Sequence, residues 1–175
     1  MKNIMLIGVS RSGKSTFAKM LKEKYPEYNI IHGDMIKKSY EKNIDNSKKL
    51  REVKEYRNFL KDIFYFEHTR NEMNYILDTV DIYPSDIEEY DKDNTIIIAF
   101  GYTNILVEEL LDIWKNVDNK WIKNMSDEDL IKKAENGLKK SKYFQEECKK
   151  YNITYIDTSK DRKNTLEELL SNLDI

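Results

Sequence analysis

The stretch Gly8–Ser15 reads GVSRSGKS, which is the pattern GxxxxGK followed by Ser or Thr. It follows the apolar run Asn3–Ile7 and leads into the amphipathic segment Lys14–Lys24, so it lies where a strand turns into a helix. Glycines let such a turn direct successive backbone N–H groups at phosphate oxygens, and the helix start adds its positive dipole end. The stretch therefore predicts a phosphate-binding loop.

The residues of this loop have separate predicted tasks. Lys14 can reach the β- and γ-phosphates as a mobile point charge, and the hydroxyl of Ser15 can ligate Mg²⁺. Backbone N–H groups of residues 12–15 are expected to hold the phosphates. The residues predicted to bind the nucleotide in this stretch are Gly8, Ser10, Arg11, Ser12, Gly13, Lys14, Ser15 and Thr16.

Short apolar runs alternate with longer amphipathic segments along the chain. The runs are rich in Ile, Leu and Val and nearly continuous, which is typical of parallel strands covered on both faces. We therefore predict an α/β fold of three layers, α/β/α, around a five-stranded parallel sheet. The predicted strands are Asn3–Ile7, Tyr28–His32, Tyr75–Asp78, Thr95–Phe100 and Ile153–Asp157. The predicted helices are Lys14–Lys24, Met35–Lys42, Ser47–Asn71, Asp86–Tyr90, Asn104–Asn116, Asp127–Tyr151 and Leu166–Leu173, with Ser126 and Thr165 as caps of the last two.

Composition limits the class of protein. The 175 residues fit one domain, and 35% of them are charged. The net charge of −2 argues against a protein that binds the nucleic-acid backbone, which would carry a basic excess. No apolar run approaches the roughly 20 residues that cross a bilayer. The single cysteine, Cys148, fits a reducing compartment, so we expect a single-domain cytoplasmic protein that does not engage a membrane.

A phosphate loop that starts at residue 8, combined with five predicted strands, resembles the small P-loop kinases. That group includes nucleoside monophosphate kinases, gluconate and shikimate kinases and the kinase domain of polynucleotide 5′-hydroxyl kinase. The closest local resemblance is to the last of these, through Gly8–Ala18, Tyr28–Asp34 and Asp78-Thr79 with Pro84 shortly after. The resemblance covers about the first half of the chain. It implies a P-loop NTPase fold, with ATP and Mg²⁺ as the nucleotide and the metal.

Asp34 ends the second predicted strand segment. In the resembling kinases the matching aspartate activates the acceptor hydroxyl, either as a general base or by orienting it. A carboxylate at this end of a strand lies near the phosphate loop, where the nucleophile must be aligned for transfer. The alternative is that Asp34 only caps the following helix. His32 is expected to be structural, or at most a neighbour of the acceptor.

Asp78 ends the third predicted strand, the position of an acidic residue of Walker-B type. It would hold Mg²⁺ through water or orient the acceptor. Asp81 competes for this role, but the apolar run stops at Asp78. Ser15 and Asp78 together form the predicted metal site.

Arg57 shares a helical face with Leu60 and Phe64. An arginine on an apolar stripe either snorkels at the edge of the core or points into the cleft as an anion ligand. The resemblance implies the second role, in which Arg57 binds a phosphate of the acceptor.

Two helical excursions, at about 39–71 and 117–142, extend beyond a minimal five-strand core, and we assign acceptor binding to the first and a lid-like role to the second. Related kinases carry lid arginines here, but residues 117–141 contain none. Lys120 and Lys123 are possible substitutes, whereas the lysine pairs 132/133 and 139/140 are interpreted as a solvated helix face. In small kinases the loop after the last strand packs against the adenine, so the resemblance implies that Arg162 stacks on the base. An ordinary surface loop is the alternative.

These observations predict a kinase that moves the γ-phosphoryl group of ATP to a small, nucleoside- or nucleotide-like acceptor with the help of Mg²⁺. The predicted catalytic residues are Lys14, Asp34 and Asp78, and the predicted acceptor ligands are Asp34 and Arg57. Two alternatives stay open. One is a polynucleotide 5′-hydroxyl kinase, and the other is an ATP-binding regulatory protein with little transferase activity, which the arginine-free second excursion motivates.

Overall fold

A single parallel sheet organises the part of the chain that the structure describes. The structure is a computed structural model that describes residues 2–41, 54–71, 73–116, 122 and 124–175. The strands are β1 (Asn3–Gly8), β2 (Asn29–His32), β3 (Tyr75–Asp78), β4 (Thr95–Gly101) and β5 (Thr154–Asp157). They pair in parallel in the order β2-β3-β1-β4-β5. The predicted five-stranded parallel sheet is confirmed, with β1 and its phosphate loop at the centre.

Helices connect successive strands. The described α-helices are α1 (Lys14–Lys24), α2 (Gly33–Glu41), α3 (Lys54–Asn71), α4 (Glu89–Asn94), α5 (Val107–Lys115), α6 (Asp127–Lys150) and α7 (Arg162–Asn172). A short 3₁₀ helix, Pro84–Asp86, lies between β3 and α4. The alternation of strand and helix produces the predicted α/β class.

The two faces of β1 carry different core clusters, because successive side chains of a strand point to opposite faces. One cluster joins β1 to α3 and α6 through Met5, Ile7, Leu60, Phe64 and Phe144. The opposite cluster joins β1 to α1 and α7 through Ile4, Leu6, Phe17, Leu21 and Leu166. The sheet is therefore covered on both faces, and the predicted three-layer α/β/α arrangement is confirmed.

A third cluster lies beside the phosphate loop. It packs α5 against α6 through Val9, Tyr102, Leu110, Trp114, Leu130 and Ala134. The start of α6 follows the prediction, since the Ser126 hydroxyl accepts a hydrogen bond from the Asp129 N–H. This packing holds the middle of α6 close to the loop.

Four helix starts differ from the prediction. Two of them shift by two or three residues, since α2 begins at Gly33 rather than Met35 and α5 at Val107 rather than Asn104. The predicted helix Asp86–Tyr90 is wrong, because the Asp86 carboxylate accepts the Tyr83 N–H and closes a 3₁₀ turn, and α4 begins only at Glu89. The last helix begins at Arg162 rather than Leu166, because Asp161 is its cap and accepts the Asn164 N–H. Thr165 lies inside that helix, where its hydroxyl donates to the Asp161 carbonyl oxygen.

Parts of both predicted excursions lie outside the described residues. These parts are residues 42–53 of the first, and residues 117–121 and 123 of the second, including Lys120 and Lys123. Among the helices that the structure describes, none combines the length and the apolar character that a membrane span requires.

The thiol of Cys148 is buried in the core beside β5, and burial raises its pKa to about 12. Because the thiolate is the reactive form, we expect the native protein to resist an aromatic disulfide reagent at pH 8. The same protein in guanidinium chloride is expected to react with one thiol per chain, since the sequence holds one cysteine. Equal reaction rates with and without denaturant would contradict this assignment.

Candidate active site

The phosphate loop leaves β1 through two glycines with positive φ. Gly8 has φ 127° and Gly13 has φ 95°, values that L side chains rarely adopt. A Cβ atom at Gly8 would also overlap the carbonyl oxygen of Phe100, its partner on β4. The residue types at both positions therefore follow from the backbone path that turns the strand into α1.

Lys14 is the first residue of α1 and is only 4% exposed. Its Nζ donates to the Val9 carbonyl oxygen at 2.6 Å, and the Ser12 hydroxyl donates to the same oxygen at 2.9 Å. The helix has no side-chain cap and no acidic residue in its first turn. Its first N–H groups and the Lys14 ammonium therefore form a positive site suited to phosphate.

Ser15 and Asp78 meet at the carboxyl ends of β1 and β3. The Ser15 hydroxyl donates to Asp78 Oδ2 at 2.5 Å, and His32 Nδ1 lies 3.5 Å from the same oxygen. A hydroxyl and a carboxylate side by side fit Mg²⁺, which binds few protein oxygens and completes its shell with water and phosphate. The structure thus brings the two predicted metal ligands together and adds His32 as their neighbour.

Asp81, the competing carboxylate, takes a different place. It is fully buried in the turn after β3, and its N–H donates to the Thr79 hydroxyl at 3.1 Å. It does not line the cavity that contains Asp78 and Ser15. The geometry favours Asp78 for the metal.

A cavity of about 340 Å³, here called the loop cavity, connects these groups with Asp34. Asp34 lies in the first turn of α2, and this exposed residue lines the loop cavity. Gly33 allows this position, because a Cβ atom there would lie 2.6 Å from Thr79 Oγ1 at the end of β3. The residues that line the loop cavity with polar or ionisable groups suited to phosphate, metal or proton chemistry are Lys14, Ser15, His32, Asp34 and Asp78.

Arg57 lies elsewhere. Its Nε is 2.7 Å from Asp86 Oδ2, its guanidinium lies 5.4 Å from the centre of the Tyr83 ring, and it does not line the loop cavity. One turn further along α3, Lys61 pairs with Asp91 at 3.0 Å. These ion pairs attach α3 to the segment after β3. The structure does not bring Arg57 to the loop cavity, and its acceptor-binding role stays a prediction.

Arg162, the first residue of α7, lies beside the phosphate loop, which itself contains Arg11. The Arg162 side chain packs against Gly13, where a Cβ atom would lie 3.4 Å from its Cδ. Burial lowers the pKa of Arg162. Burial also lowers the pKa of Arg11, where Tyr102 opposes the shift and the Arg162 charge adds to it. Arg162 therefore lies beside the loop, as the predicted base-stacking role requires. Thr16 is exposed in the first turn of α1.

The loop after β5 is fixed by residues to which the sequence analysis gave no role. Asp157 Oδ2 accepts hydrogen bonds from Thr103 and Asn104, and Oδ1 accepts the Ser159 N–H. Burial alone would raise the pKa of Asp157, but the hydrogen bonds from Ser159 and Thr103 hold it below its ordinary value. The next residue, Thr158, donates its hydroxyl to the Ser12 carbonyl oxygen at 3.0 Å.

A second cavity of about 450 Å³, here called the lysine cavity, adjoins the first, and Ser10, Arg11 and Val80 line both. Lys133 and Lys140 of α6 line it as well. For Lys140 the predicted solvated face is wrong, because its Nζ donates to the Val80 carbonyl oxygen at 3.0 Å and lies 4.7 Å from the Tyr83 ring centre. Lys132 and Lys139 are exposed, as predicted.

Comparison with solved structures gives matches over nearly the whole chain. Shikimate kinase from Bacteroides thetaiotaomicron matches with a TM-score of 0.62 at 16% identity, over 99% of this chain and 99% of that one. Deoxyadenosine kinase from M. mycoides matches with a TM-score of 0.53 at 13% identity, over 97% of both chains. A gluconokinase from Sinorhizobium meliloti matches with a TM-score of 0.52 at 14% identity, over 97% of this chain and 90% of that one. No protein-family model and no curated protein sequence matches the chain. What these likenesses show is the fold: the chain has the fold of the small P-loop kinases.

Proposed function

We propose that the protein is an ATP-dependent phosphotransferase acting on a small, nucleoside- or nucleotide-like acceptor. This proposal rests on the loop cavity, because Lys14, Ser15, Asp34 and Asp78 all line it. Phosphoryl transfer needs a cradle for the phosphates, oxygen ligands for a metal and a group that aligns the nucleophile. All three requirements have a candidate residue within this one cavity.

The chain's residues divide the work of the transfer. Backbone N–H groups at the start of α1 and the Lys14 ammonium bind the β- and γ-phosphate oxygens and stabilise the charge that develops on them. Asp34 orients the acceptor oxygen and takes its proton, which then passes to water. The acceptor oxygen forms a bond to the γ-phosphorus while the bond to the β–γ bridging oxygen breaks, and ADP leaves with that electron pair.

Mg²⁺ held by Ser15 and Asp78 would neutralise phosphate charge when bound. In the structure, a hydrogen bond already holds the Ser15 hydroxyl oxygen 2.5 Å from Asp78 Oδ2. His32 Nδ1 lies 3.5 Å from the same carboxylate oxygen, Asp78 Oδ2. The site is therefore arranged by protein contacts before any ligand enters.

A coupled assay of ADP release tests the proposal, with Mg²⁺, ATP and a panel of nucleosides, nucleoside monophosphates and sugar acids. We expect at least one acceptor to stimulate ADP release well above the rate with water alone, and we expect removal of Mg²⁺ to abolish it. MgATP binding by calorimetry without turnover on any acceptor would instead support a regulatory nucleotide-binding protein.

The local sequence resemblance favours a second candidate, a polynucleotide 5′-hydroxyl kinase. Labelled phosphoryl transfer to a 5′-hydroxyl oligonucleotide tests it directly. The net charge of −2 weakens this candidate, because an oligonucleotide acceptor favours a basic surface. Transfer to the oligonucleotide with no transfer to small acceptors would replace the first proposal with the second.

Asp34→Asn is expected to lower kcat on the order of 10²-fold or more, because an amide cannot take the acceptor's proton. Asp34 is the second residue of α2 rather than its cap, it is exposed, and asparagine has nearly the same shape, so the melting temperature is expected to stay near that of the wild type. Asp62→Asn, on the exposed face of α3, serves as the matched control. A wild-type kcat for Asp34→Asn would show that Asp34 takes no part in catalysis.

A further inference from the structure

The lysine cavity is lined by cations and by no acidic side chain among the residues that the structure describes there. Its cations are Arg11 from the phosphate loop and Lys133 and Lys140 from α6. A concave surface with charges of one sign concentrates ligands of the opposite sign. The volume of about 450 Å³ falls within the range of small-molecule sites, roughly 300–1,000 Å³.

The lining residues of α6 form one stripe of the helix. Lys133, Asn136, Gly137 and Lys140 stand at i, i+3, i+4 and i+7, which is one helical face. A glycine inside a helix is unfavourable, but here a Cβ atom would overlap the Tyr102 hydroxyl and lie 3.3 Å from its Cζ. The glycine lets α6 approach Tyr102, and this approach brings both lysines to the cavity.

Two hydrogen bonds connect the residues around this helical stripe to the phosphate loop and to Val80. The Tyr102 hydroxyl donates to the Ser10 carbonyl oxygen at 3.2 Å, and burial raises the pKa of Tyr102 to about 12, so it remains a donor at neutral pH. Lys140 is held at the Val80 carbonyl oxygen, whereas Lys133, two turns earlier, is exposed. Of the two lysines, Lys140 is therefore positioned by a main-chain contact, and Lys133 lies at an exposed position.

Two aromatic residues also line the lysine cavity. Tyr102 is 1% exposed and Trp114 is 4% exposed, and both line the cavity. The Arg11 guanidinium lies 5.4 Å from the centre of the Trp114 ring. A flat apolar surface beside cations complements a ligand that joins a ring to an anionic group.

We propose that the lysine cavity binds the acceptor, and that the acceptor is a ring compound carrying an anionic group, either a carboxylate or a phosphate monoester. This inference rests on the proposed phosphotransfer function. Lys133 and Lys140 bind the anionic group, and Trp114 and Tyr102 contact the ring. The acceptor oxygen then reaches the loop cavity and Asp34 across Ser10 and Val80, which line both cavities.

Fluorescence of Trp114 measures binding independently of turnover. The chain has two tryptophans, so Trp121→Phe leaves Trp114 as the only one. In this background, cyclohexanecarboxylate and phenyl phosphate are titrated against their uncharged counterparts, cyclohexanecarboxamide and benzyl alcohol. We expect the anions to bind at least tenfold more tightly than the neutral compounds, as measured by the shift or quenching of Trp114 emission. The better of the two anions identifies the acceptor's charged group.

Two pairs of lysines on the same helix give a matched comparison. Lys133→Met with Lys140→Met is expected to weaken anion binding at least tenfold, whereas Lys132→Met with Lys139→Met, with the same change of charge, is expected to leave it unchanged. If Lys140→Met lowers the melting temperature, Lys133→Met alone serves as the test, because Lys133 is exposed. The single substitution is expected to weaken anion binding by a smaller factor than the pair. Equal effects of the two pairs, or equal binding of neutral and anionic probes, would overturn the inference.

Kinetics separate this inference from the proposed function. With an anionic acceptor that supports turnover, Lys133→Met is expected to raise the acceptor KM at least tenfold and leave the ATP KM unchanged. Anion binding that depends on the lysines without phosphoryl transfer would retain a binding site but refute its acceptor role and the proposed function. Turnover of neutral acceptors, unaffected by the lysine variants, would retain the function and refute the site.

Discussion

Lys14→Ala is expected to remove acceptor-stimulated ADP release almost completely, lowering kcat/KM on the order of 10²- to 10³-fold. In the proposed mechanism, the Lys14 ammonium at the start of α1 follows the γ-phosphoryl group as its charge redistributes. The Val9 carbonyl oxygen keeps the Ser12 hydroxyl as a donor when the lysine is removed. We therefore expect the fold to remain intact, as measured by the melting temperature and far-UV circular dichroism.

Lys19→Ala is the control for this variant. Lys19 lies on the exposed face of the same helix and the substitution removes the same charge, so activity is expected to stay at the wild-type level. A Lys14→Ala protein that keeps more than a tenth of the wild-type kcat/KM, with normal stability, would show that the assigned phosphate site is wrong.

Gly8→Ala is expected to lower the free energy of unfolding by about 3–5 kcal/mol, the sum of backbone strain and overpacking. The strain arises from φ 127° at this position. The overpacking arises because the new methyl group would overlap the Phe100 carbonyl oxygen and lie 2.8 Å from the Phe100 nitrogen. Since β1 and β4 are both central, neither strand can move without opening the core. Urea unfolding monitored by circular dichroism measures the loss.

Gly13→Ala separates these two causes. Gly13 also has positive φ, at 95°, but the nearest atoms to a new methyl group are side-chain carbons at 3.4 Å. Only strain remains, so we expect a loss of about 1–2 kcal/mol. Equal losses for the two variants would show that close approach to β4 does not determine the choice of glycine at position 8.

The sheet and the loop could be predicted because both leave local signals. A buried parallel strand such as β1 is a continuous apolar run, and a phosphate loop has fixed spacing between its glycines and lysine. The positions of Asp34 and Asp78 beside the loop could be predicted for a related reason. The carboxyl ends of parallel strands meet at one edge, so a polar residue that ends a run is placed by the topology.

Residues whose roles depend on distant partners could not be predicted in this way. Arg57 gives only the signal of a charge on an apolar stripe, and nothing in its neighbourhood shows that Asp86 pairs with it. Lys140 belongs to a polar stretch with no hydropathy signal, and its contact with the Val80 carbonyl oxygen depends on how α6 packs. The spacing of Lys133, Asn136, Gly137 and Lys140 is a visible pattern, but only Tyr102 explains its glycine.

An anion that enters the phosphate loop competes with a main-chain carbonyl, because the Lys14 ammonium already donates to Val9. A monovalent ion such as chloride or acetate offers a single charge and few acceptor atoms, so exchanging the carbonyl for it is expected to gain little. A polyphosphate chain presents several charged oxygens to the ammonium and to the helix N–H groups at once. We therefore expect the loop to bind polyphosphates in preference to common salts.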